Sequence, residues 1–389
     1  MLMKRIGLAL TCSTAFLLGG CPDQSQTTIR NPQQAETNFI WNIADNIPLP
    51  IQPADNIASE EKFELGRHLF YDTRLSGNGT QACVSCHEQD KAFSDGKATP
   101  TGSTGDVLAR NSQALVNTAY NASYTWANTS LVRLEQQILI PLFGESPIEH
   151  GINENNKADV LSTIASDPTY QTLFSDAFNV SADQVDYNHI IDALAVFVRG
   201  LNSFNSSYDQ FQRGDTSALS ASALRGSQLF FSEDLECFHC HGGYNFTDSL
   251  ADSGMFFVNK PFHNTGLFNI GGTGDYPSDN QGIFELTGKA SDMGKFRAPT
   301  LRNIQLTAPY MHDGSIATLE EVVDTYATAG RNITSGPNAG DGRLNPFKDG
   351  FVSGFSITDD EKTDLINFLE SLTDQSFIDN QRFTNPWEQ

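Results

Sequence analysis

The chain is poor in the side chains that form disulfides, supply thioether ligands or carry positive charge. Its 389 residues include 6 cysteines, 5 methionines and 8 histidines, and 24 lysine and arginine residues stand against 47 aspartate and glutamate residues. The resulting net charge of −23 argues against nucleic acid and anionic lipid as partners, because both repel an acidic protein. A basic protein partner is compatible with this charge, although acidity also serves solubility alone.

Long apolar runs are scarce as well. One lies near the N-terminus, at residues 6–18 behind a Lys-Arg pair, and it is too short to span a membrane. Its charge, length and flanks are typical of a signal peptide, residues 1–20. The residues up to Cys21 resemble a lipobox, which predicts cleavage before Cys21 and acylation of its thiol; without acylation the segment is an ordinary export signal. We expect a periplasmic protein that touches a membrane only through this anchor.

Cysteine usage leaves no pair for a disulfide. Cys12 leaves with the signal peptide, Cys21 takes the lipid, and the other four lie in two Cys-x-x-Cys-His motifs. These motifs are Cys83-Val84-Ser85-Cys86-His87 and Cys237-Phe238-His239-Cys240-His241. In such a motif the thiols add across the vinyl groups of a haem and the adjacent imidazole binds its iron. We predict two covalent c-type haems; zinc is the alternative, but export and the adjacent histidines argue against it.

Patterning along the chain predicts an all-α fold with two cytochrome c-like haem domains, long loops and little β structure. Apolar residues recur at helical spacing in 190–198 and 365–372, and Thr358 with Glu361 forms a capping box before the latter. Similar segments, 65–71 and 225–231, precede the two haem motifs and indicate a duplication. The predicted division is a signal peptide at 1–20, a disordered tether at 21–54, an N-terminal domain at 55–212 and a C-terminal domain at 213–389.

Few side chains are available as a sixth ligand to the first iron. No histidine lies between His87 and His150, and no methionine lies between Met3 and Met255. This favours a five-coordinate iron that is open to a small ligand. Three histidines remain that folding could bring to the iron, although for His68 packing is the better interpretation: His68, His150 and His189.

At this point the chain resembles the bacterial di-haem cytochrome c peroxidase and MauG superfamily, over about residues 55–375. The likeness is carried by Leu65-Gly66-Arg67, both haem motifs, Arg110-Asn111-Ser112 and the segment 296–303. It looks closer to the MauG-like branch, particularly the di-haem enzymes associated with methanobactin and copper-binding surface proteins. The resemblance implies hydrogen peroxide reduction at the N-terminal haem. The C-terminal haem would exchange electrons with a small redox protein or oxidise a side chain of a protein substrate. The alternative is a non-catalytic, membrane-tethered di-haem electron-transfer cytochrome.

The resemblance also assigns roles near the first haem. Typical peroxidases of the family place a distal histidine before the Arg-Asn-Ser motif, whereas residues 101–109 contain none, which implies a site that is open at rest. Glu149 and Gln137 match the distal glutamate and glutamine of the family. A desolvated carboxyl group can move a proton between the peroxide oxygens while an amide orients them. Gln136 and Glu145 are neighbouring alternatives.

At the second haem, Tyr310 matches the tyrosine ligand of the MauG-like branch. The methionine of electron-transferring members falls at Ala308 instead, and Met311 and His312 are rivals of Tyr310. A phenolate stabilises oxidised iron, whereas a thioether raises the reduction potential.

Two further positions carry over from the family. Trp126 matches the tryptophan that lies between the haems and relays charge. Asn111 matches a ligand of a calcium ion between the domains, with backbone carbonyls of residues 287–296 as its companions.

Overall fold

The computed structural model of the protein describes residues 39–388. The predicted signal peptide, the lipid site at Cys21 and the tether up to residue 38 lie outside the described residues. The described chain is mainly helical with very little sheet, which confirms the predicted all-α class. No helix in this part of the chain is both long enough and apolar enough to span a bilayer.

The elements follow one another with long irregular connections. The helices of the described range are α1 (Glu60–Phe70), α2 (Leu134–Phe143), α3 (Lys157–Ala165), α4 (Pro168–Phe178), α5 (Tyr187–Arg199), α6 (Ser207–Gln212), α7 (Ala221–Phe230), α8 (Cys237–Cys240), α9 (Phe284–Thr287), α10 (Leu319–Ala327), α11 (Asp359–Glu370) and α12 (Gln375–Ile378). Two short strands, β1 (Asn332–Ile333) and β2 (Gly340–Asp341), pair antiparallel with Asn332 opposite Asp341. Residues 241–283 separate α8 from α9, in agreement with the prediction of long loops.

Helices α1 and α5 cross in the first hydrophobic cluster. The Ser59 hydroxyl caps α1 by accepting a hydrogen bond from the Lys62 amide. At the crossing, a β-carbon on Gly66 would lie 2.0 Å from the Ala193 carbonyl oxygen, so only glycine permits this approach. The predicted apolar face of α5 is buried here, which confirms it: Ile190, Ala193, Leu194, Phe197 and Val198.

Helices α7 and α11 repeat this arrangement in a second cluster. A β-carbon on Gly226 would lie 1.9 Å from the Asp364 carbonyl oxygen. The predicted capping box begins α11: the Thr358 hydroxyl accepts from the Glu361 amide, and the Glu361 carboxylate accepts from the Thr358 amide. The apolar face that follows is buried, as predicted: Leu365, Phe368, Leu369 and Leu372. The same glycine-mediated crossing in both halves supports the duplication.

The first cluster also encloses an ion pair. Glu135 of α2 accepts a hydrogen bond from the Arg199 guanidinium at 2.6 Å and another from the Asn56 amide at 2.8 Å. The Arg199 side chain is 3% exposed and that of Glu135 is 9% exposed. Because both side chains are largely shielded from water, each charged group is stabilised by its partner rather than by solvent.

The beginning of the described chain corrects one expectation. Residues 39–54 were predicted to belong to the disordered tether, but Phe39 is buried in the first cluster and Trp41 packs against it. The Tyr120 hydroxyl donates to the Pro48 carbonyl at 2.8 Å. These contacts come from single aromatic side chains, which produce no helical or strand periodicity in the sequence.

The end of the chain returns to the first cluster rather than staying with the second. Phe377 and Phe383 are buried there, and the Arg67 guanidinium donates to the Thr384 carbonyl at 2.9 Å. The tail thus packs on the N-terminal half, although the predicted C-terminal domain runs to residue 389. The predicted division near residue 212 itself stays a prediction.

Candidate functional site

The first Cys-x-x-Cys-His motif forms a tight turn after α1. Cys83 begins a 3-10 turn, and Cys83 and Cys86 are partly buried free thiols. His87 Nδ1 donates to the Phe93 carbonyl at 2.8 Å, since a carbonyl oxygen can only accept. Phe93 is fully buried and has a positive φ of 60°, so the backbone bends to present this carbonyl. The bond fixes the ring and leaves Nε2 as the nitrogen that can bind iron.

The second motif has the same construction. Its cysteines begin and end α8, and both are free thiols. His241 Nδ1 donates to the Phe246 carbonyl at 3.2 Å, and Phe246 also has a positive φ, 51°. Two thiols and an imidazole held by Nδ1 are the donor set of a covalently attached haem. The residues at each motif therefore fit the predicted cofactor.

A cavity of about 230 Å³ opens beside the second motif. Cys237, Cys240 and His241 line it together with Tyr310 and Met311. Most of its lining surface is apolar, as a macrocycle with hydrophobic faces requires. The structure thus brings the motif and the predicted ligand segment to one cavity.

Among the three rival ligands, Tyr310 and His312 have distinct surroundings. Tyr310 is 8% exposed, its hydroxyl donates to the Ile304 carbonyl at 3.2 Å, and burial raises the pKa of its phenol to about 12. The buried His312 ring stacks on Phe296 with centroids 3.6 Å apart. Burial, with the charges of Arg110 and Arg331, lowers the pKa of His312 well below its ordinary value. All three rivals line the cavity, and the choice of Tyr310 as ligand stays a prediction.

Glu149 lies close to the first motif. Its carboxyl group is partly buried, and burial alone raises its pKa from 4.5 to about 7. Burial also raises the pKa of both thiols, Cys83 and Cys86, and the charge of Glu149 adds to each rise, which shows its proximity. Glu145, the alternative, is exposed. A carboxyl group that titrates near neutral pH beside a haem motif is suited to proton transfer.

The loop at residues 101–109 packs on the same side of the site. The Ser103 amide donates to the Glu149 carbonyl at 2.7 Å, and a β-carbon on Gly102 would lie 3.0 Å from the Glu149 Cα. The Gln81 amide group contacts both Cys86 Sγ at 3.5 Å and the Thr101 carbonyl at 3.4 Å. Residues 101–109 therefore lie beside Glu149, and their Asp106 accepts a hydrogen bond from the Ile148 amide at 3.0 Å.

The two candidate glutamines both lie on helix α2 and differ in exposure. Gln137 is partly buried, whereas Gln136 is exposed. Gln136 lines a different, outward-facing pocket with Asp55 and Arg133. Gln137 is thus the less exposed of the two, and its role as the orienting amide stays a prediction.

Trp126 lies at the second cavity, and its role between the haems stays a prediction. Its indole Nε1 donates to the Asn111 carbonyl at 2.8 Å, and its ring lies near-perpendicular to His312 with centroids 6.5 Å apart. The Arg297 amide donates to the Trp126 carbonyl at 2.8 Å, while the Arg297 guanidinium donates to Gln113 Oε1 at 3.1 Å. Trp126 also lines the cavity of the second motif. The tryptophan is held between the Arg-Asn-Ser segment and that cavity.

The calcium prediction remains open. The Asn111 side-chain amide donates to the Lys97 carbonyl at 2.8 Å, which leaves its Oδ1 as a potential ligand.

Two of the three histidines considered for the first iron contact other residues. His68 packs against Trp387, and His189 bonds to Asp186 at the start of α5. His150 is buried, bonds to the Leu75 carbonyl at 2.8 Å and lies near enough to His87 for their charges to interact.

A second repeat follows each haem motif and is not among the features predicted above. Leu115-Val116-Asn117 and Leu301-Arg302-Asn303 share a Leu-x-Asn spacing. Both asparagines have positive φ, 53° and 58°, and each begins a 3-10 turn. Asn117 donates to the Ser203 carbonyl, and Asn303 donates to the Ser203 hydroxyl, so one buried serine links the two repeats. The matching spacing was the signal available in the sequence.

Comparison with known proteins agrees with this geometry. A family model described as di-haem cytochrome c peroxidase matches residues 60–217. The cytochrome-c peroxidase IdrP1 of Denitromonas iodatirespirans is 33% identical over 84% of this chain and 85% of its own length. The chain belongs to the di-haem cytochrome c peroxidase and MauG family. The methylamine utilization protein MauG of Methylorubrum extorquens is 29% identical over 93% of this chain and 92% of its own length.

A solved structure also resembles this member of the family. It is described as a MauG-like protein associated with microbial copper homeostasis, and it matches with a TM-score of 0.88 and 48% identity over 90% of this chain and 99% of that one. Its description and the match to MauG confirm the predicted resemblance to the MauG-like branch. As a di-haem peroxidase family member, the chain is an oxidoreductase with two c-type haems.

Proposed function

We propose that this protein reduces hydrogen peroxide at the N-terminal haem and exchanges the oxidising equivalents with a protein partner through the C-terminal haem. The predicted export signal and the lipobox-like sequence support a periplasmic location for this reaction, with the chain anchored at Cys21. The observation that carries the proposal is Glu149, a carboxyl group with a raised pKa beside the first motif. A protein that only carried electrons would have no use for such a group.

The chain's own residues perform the proton chemistry. The haems, when bound, supply redox-active iron at His87 and His241. Glu149 takes the proton of the inner peroxide oxygen and returns it to the outer oxygen, which then leaves as water. Its pKa near 7 lets it both accept and release that proton at neutral pH. Gln137 orients the peroxide by hydrogen bonding, and the absence of a histidine from residues 101–109 leaves the site open without a gating step.

The second site keeps an oxidising equivalent available. Tyr310 supplies a phenolic oxygen from the wall of the second cavity, and an anionic oxygen donor favours oxidised iron. Trp126, held between the Asn111 carbonyl and the Arg297 amide, relays charge between the two sites. Such an arrangement suits the MauG-like mode, in which a side chain of a protein substrate is oxidised. It equally allows a small redox protein to return electrons one at a time.

Resting-state EPR of the haem-loaded protein tests the proposal. We expect a high-spin ferric signal from the open N-terminal site beside a low-spin signal from the C-terminal site. Addition of peroxide should remove the high-spin signal. Two low-spin signals that peroxide leaves unchanged would contradict the proposal and identify a non-catalytic electron-transfer cytochrome.

Paired substitutions test the ligand at the second site. Tyr310→Phe removes the phenolic oxygen and is expected to change the optical and low-spin EPR spectra, whereas Met311→Leu should leave both unchanged. The reverse pattern would assign the thioether of Met311 as the ligand instead. In Tyr310→Met, a thioether donor should raise the reduction potential of this site.

A further inference from the structure

Two phenylalanines project into solvent from the 253–261 loop. Phe256 is 99% exposed and Phe257 is 90% exposed, and Met255 and Val258 beside them are 38% and 37% exposed. Phenylalanine is among the side chains most often buried in folded proteins. A contiguous exposed apolar surface marks an interaction site more often than it marks ordinary surface. The exposed loop tip is therefore a candidate protein interaction site.

The base of this loop is fixed, although its tip is exposed. The Ser253 amide donates to the Leu49 carbonyl at 3.0 Å, and Lys260 Nζ donates to the Thr129 carbonyl at 2.9 Å. The Gly254 amide donates to Asp252 Oδ1 at 2.8 Å. The fold thus presents the phenylalanines on an anchored loop, which lowers the ordering cost of binding.

The same base is connected to the second haem motif. Asp252 Oδ2, on a residue that is 4% exposed, accepts a hydrogen bond from the Tyr244 hydroxyl at 2.9 Å. Tyr244 follows His241 by three residues, and its ring contacts Tyr120 with centroids 5.6 Å apart. At the other end of the loop, Thr129 follows Trp126 by three residues. The exposed tip is therefore held between the segments that carry the second haem motif and the bridging tryptophan.

These surroundings favour a small redox protein as the occupant. A loop tip that projects outward encloses no small molecule, and exposed aromatic side chains are the residues that dominate protein interfaces. A net charge of −23 opposes adsorption on anionic membranes. A half-buried phenol whose hydroxyl donates to a buried carboxylate at the base of the loop is suited to a partner that exchanges electrons.

We propose that the 253–261 loop docks a small redox protein and that Tyr244, with Asp252 as its proton acceptor, relays electrons from that protein to the second site. This inference rests on the proposed function. In each cycle Tyr244 loses one electron to the oxidised second site and its phenolic proton to Asp252. The resulting tyrosyl radical takes one electron from the reduced partner and recovers the proton. Two cycles, with two protons from solvent, balance the reduction of one hydrogen peroxide to two waters.

A binding measurement tests the docking surface. The probe is a reduced single-haem cytochrome c, and its Kd for the holoprotein is measured by surface plasmon resonance. The double variant Phe256→Ser/Phe257→Ser should weaken binding by roughly 10- to 100-fold, because aromatic hot spots dominate interface energies. Leu344→Ser, at a residue that is 75% exposed elsewhere on the surface, should leave the Kd unchanged.

Other results would overturn the docking inference. These are an unchanged Kd in the double variant, an equal loss in Leu344→Ser, or no binding by the parent protein. Sedimentation with vesicles of phosphatidylcholine and phosphatidylglycerol, and sedimentation velocity of the protein alone, provide two further checks. A loss of vesicle binding or of dimerisation in the double variant, with the cytochrome Kd unchanged, would assign the loop to a membrane or to a second copy.

A separate variant tests the relay. Tyr244→Phe should keep the cytochrome Kd, lose a tyrosyl EPR signal trapped after one equivalent of peroxide, and slow electron transfer from the bound cytochrome. Tyr187→Phe, whose hydroxyl donates to the Lys157 carbonyl far from the loop, is the matched control. An unaltered radical signal and rate in Tyr244→Phe would overturn the relay. Peroxide-dependent oxidation of a small dye by the parent protein tests the proposed function independently, since a dye needs no docking loop.

Discussion

A glutamine at position 149 should slow the peroxide step and stabilise the fold at the same time. Glutamine keeps the shape of the glutamate side chain, but its amide cannot accept and release a proton near neutral pH. Positioned general acid–base groups contribute about 10²- to 10⁴-fold to a rate, so Glu149→Gln should lower the rate constant for peroxide by a factor in that range. Glu145→Gln, at an exposed position, should leave the rate unchanged.

The raised pKa sets the sign of the stability effect. Burial moves the pKa of Glu149 from 4.5 to about 7, and that change corresponds to up to about 3 kcal/mol against the ionised form in the folded protein. Below pH 4.5 the carboxyl group is protonated in both folded and unfolded states, and this cost is absent. Between pH 4.5 and 7 the unfolded chain ionises first, so the folded state loses stability as the pH rises. Above pH 7 the cost is fully present.

Two measurements check this reasoning. Stopped-flow mixing with peroxide should give a parent rate that depends on pH with a midpoint near 7, and this midpoint should vanish in Glu149→Gln. Denaturant unfolding at pH 8 should show the variant to be more stable by up to about 3 kcal/mol, with no difference at pH 4. A variant that retains the parent rate and pH profile would refute the assignment of Glu149.

Two packing features allow further predictions. Gly66→Ala places a β-carbon against the backbone of α5 and should destabilise the protein by about 1 to 3 kcal/mol or more; Gly350→Ala, at a position with open space, should be neutral in the same thermal unfolding assay. Glu135→Gln leaves the buried Arg199 guanidinium without a counter-charge and should cost about 3 to 5 kcal/mol in denaturant unfolding, whereas Glu154→Gln, at an exposed i,i+3 pair, should cost less than about 1 kcal/mol. Equal effects in either matched pair would contradict the packing argument.

Local sequence patterns predicted much of the fold because they depend on neighbours in the chain. The capping box of Thr358 and Glu361 and the apolar face of α5 are where the patterns place them. By contrast, Phe39 and Phe383 meet in one cluster from opposite ends of the chain, and no local pattern encodes such a contact.

The candidate site, like the fold, was predicted only in part from the sequence. Resemblance to the family named Glu149, Gln137 and Trp126, and the sequence left Glu145 and Gln136 as neighbouring alternatives. Exposure in the fold separates these pairs, because Glu145 and Gln136 are exposed whereas Glu149 and Gln137 are partly buried. Arg297, which holds the Trp126 carbonyl, could be recognised only once the two segments were placed together.

The sequence by itself determined the two haem attachment motifs, since cysteine and histidine at fixed spacing specify covalent attachment and iron ligation without reference to the rest of the chain. It also determined the helical class and the membership in the family. Only the tertiary structure decided that Glu149 lies in a desolvated position beside the first motif, and that Tyr244 and Asp252 connect the second motif to an exposed loop. A pKa shift and a proton path depend on burial and on distances between remote residues, and these quantities exist only in the folded chain.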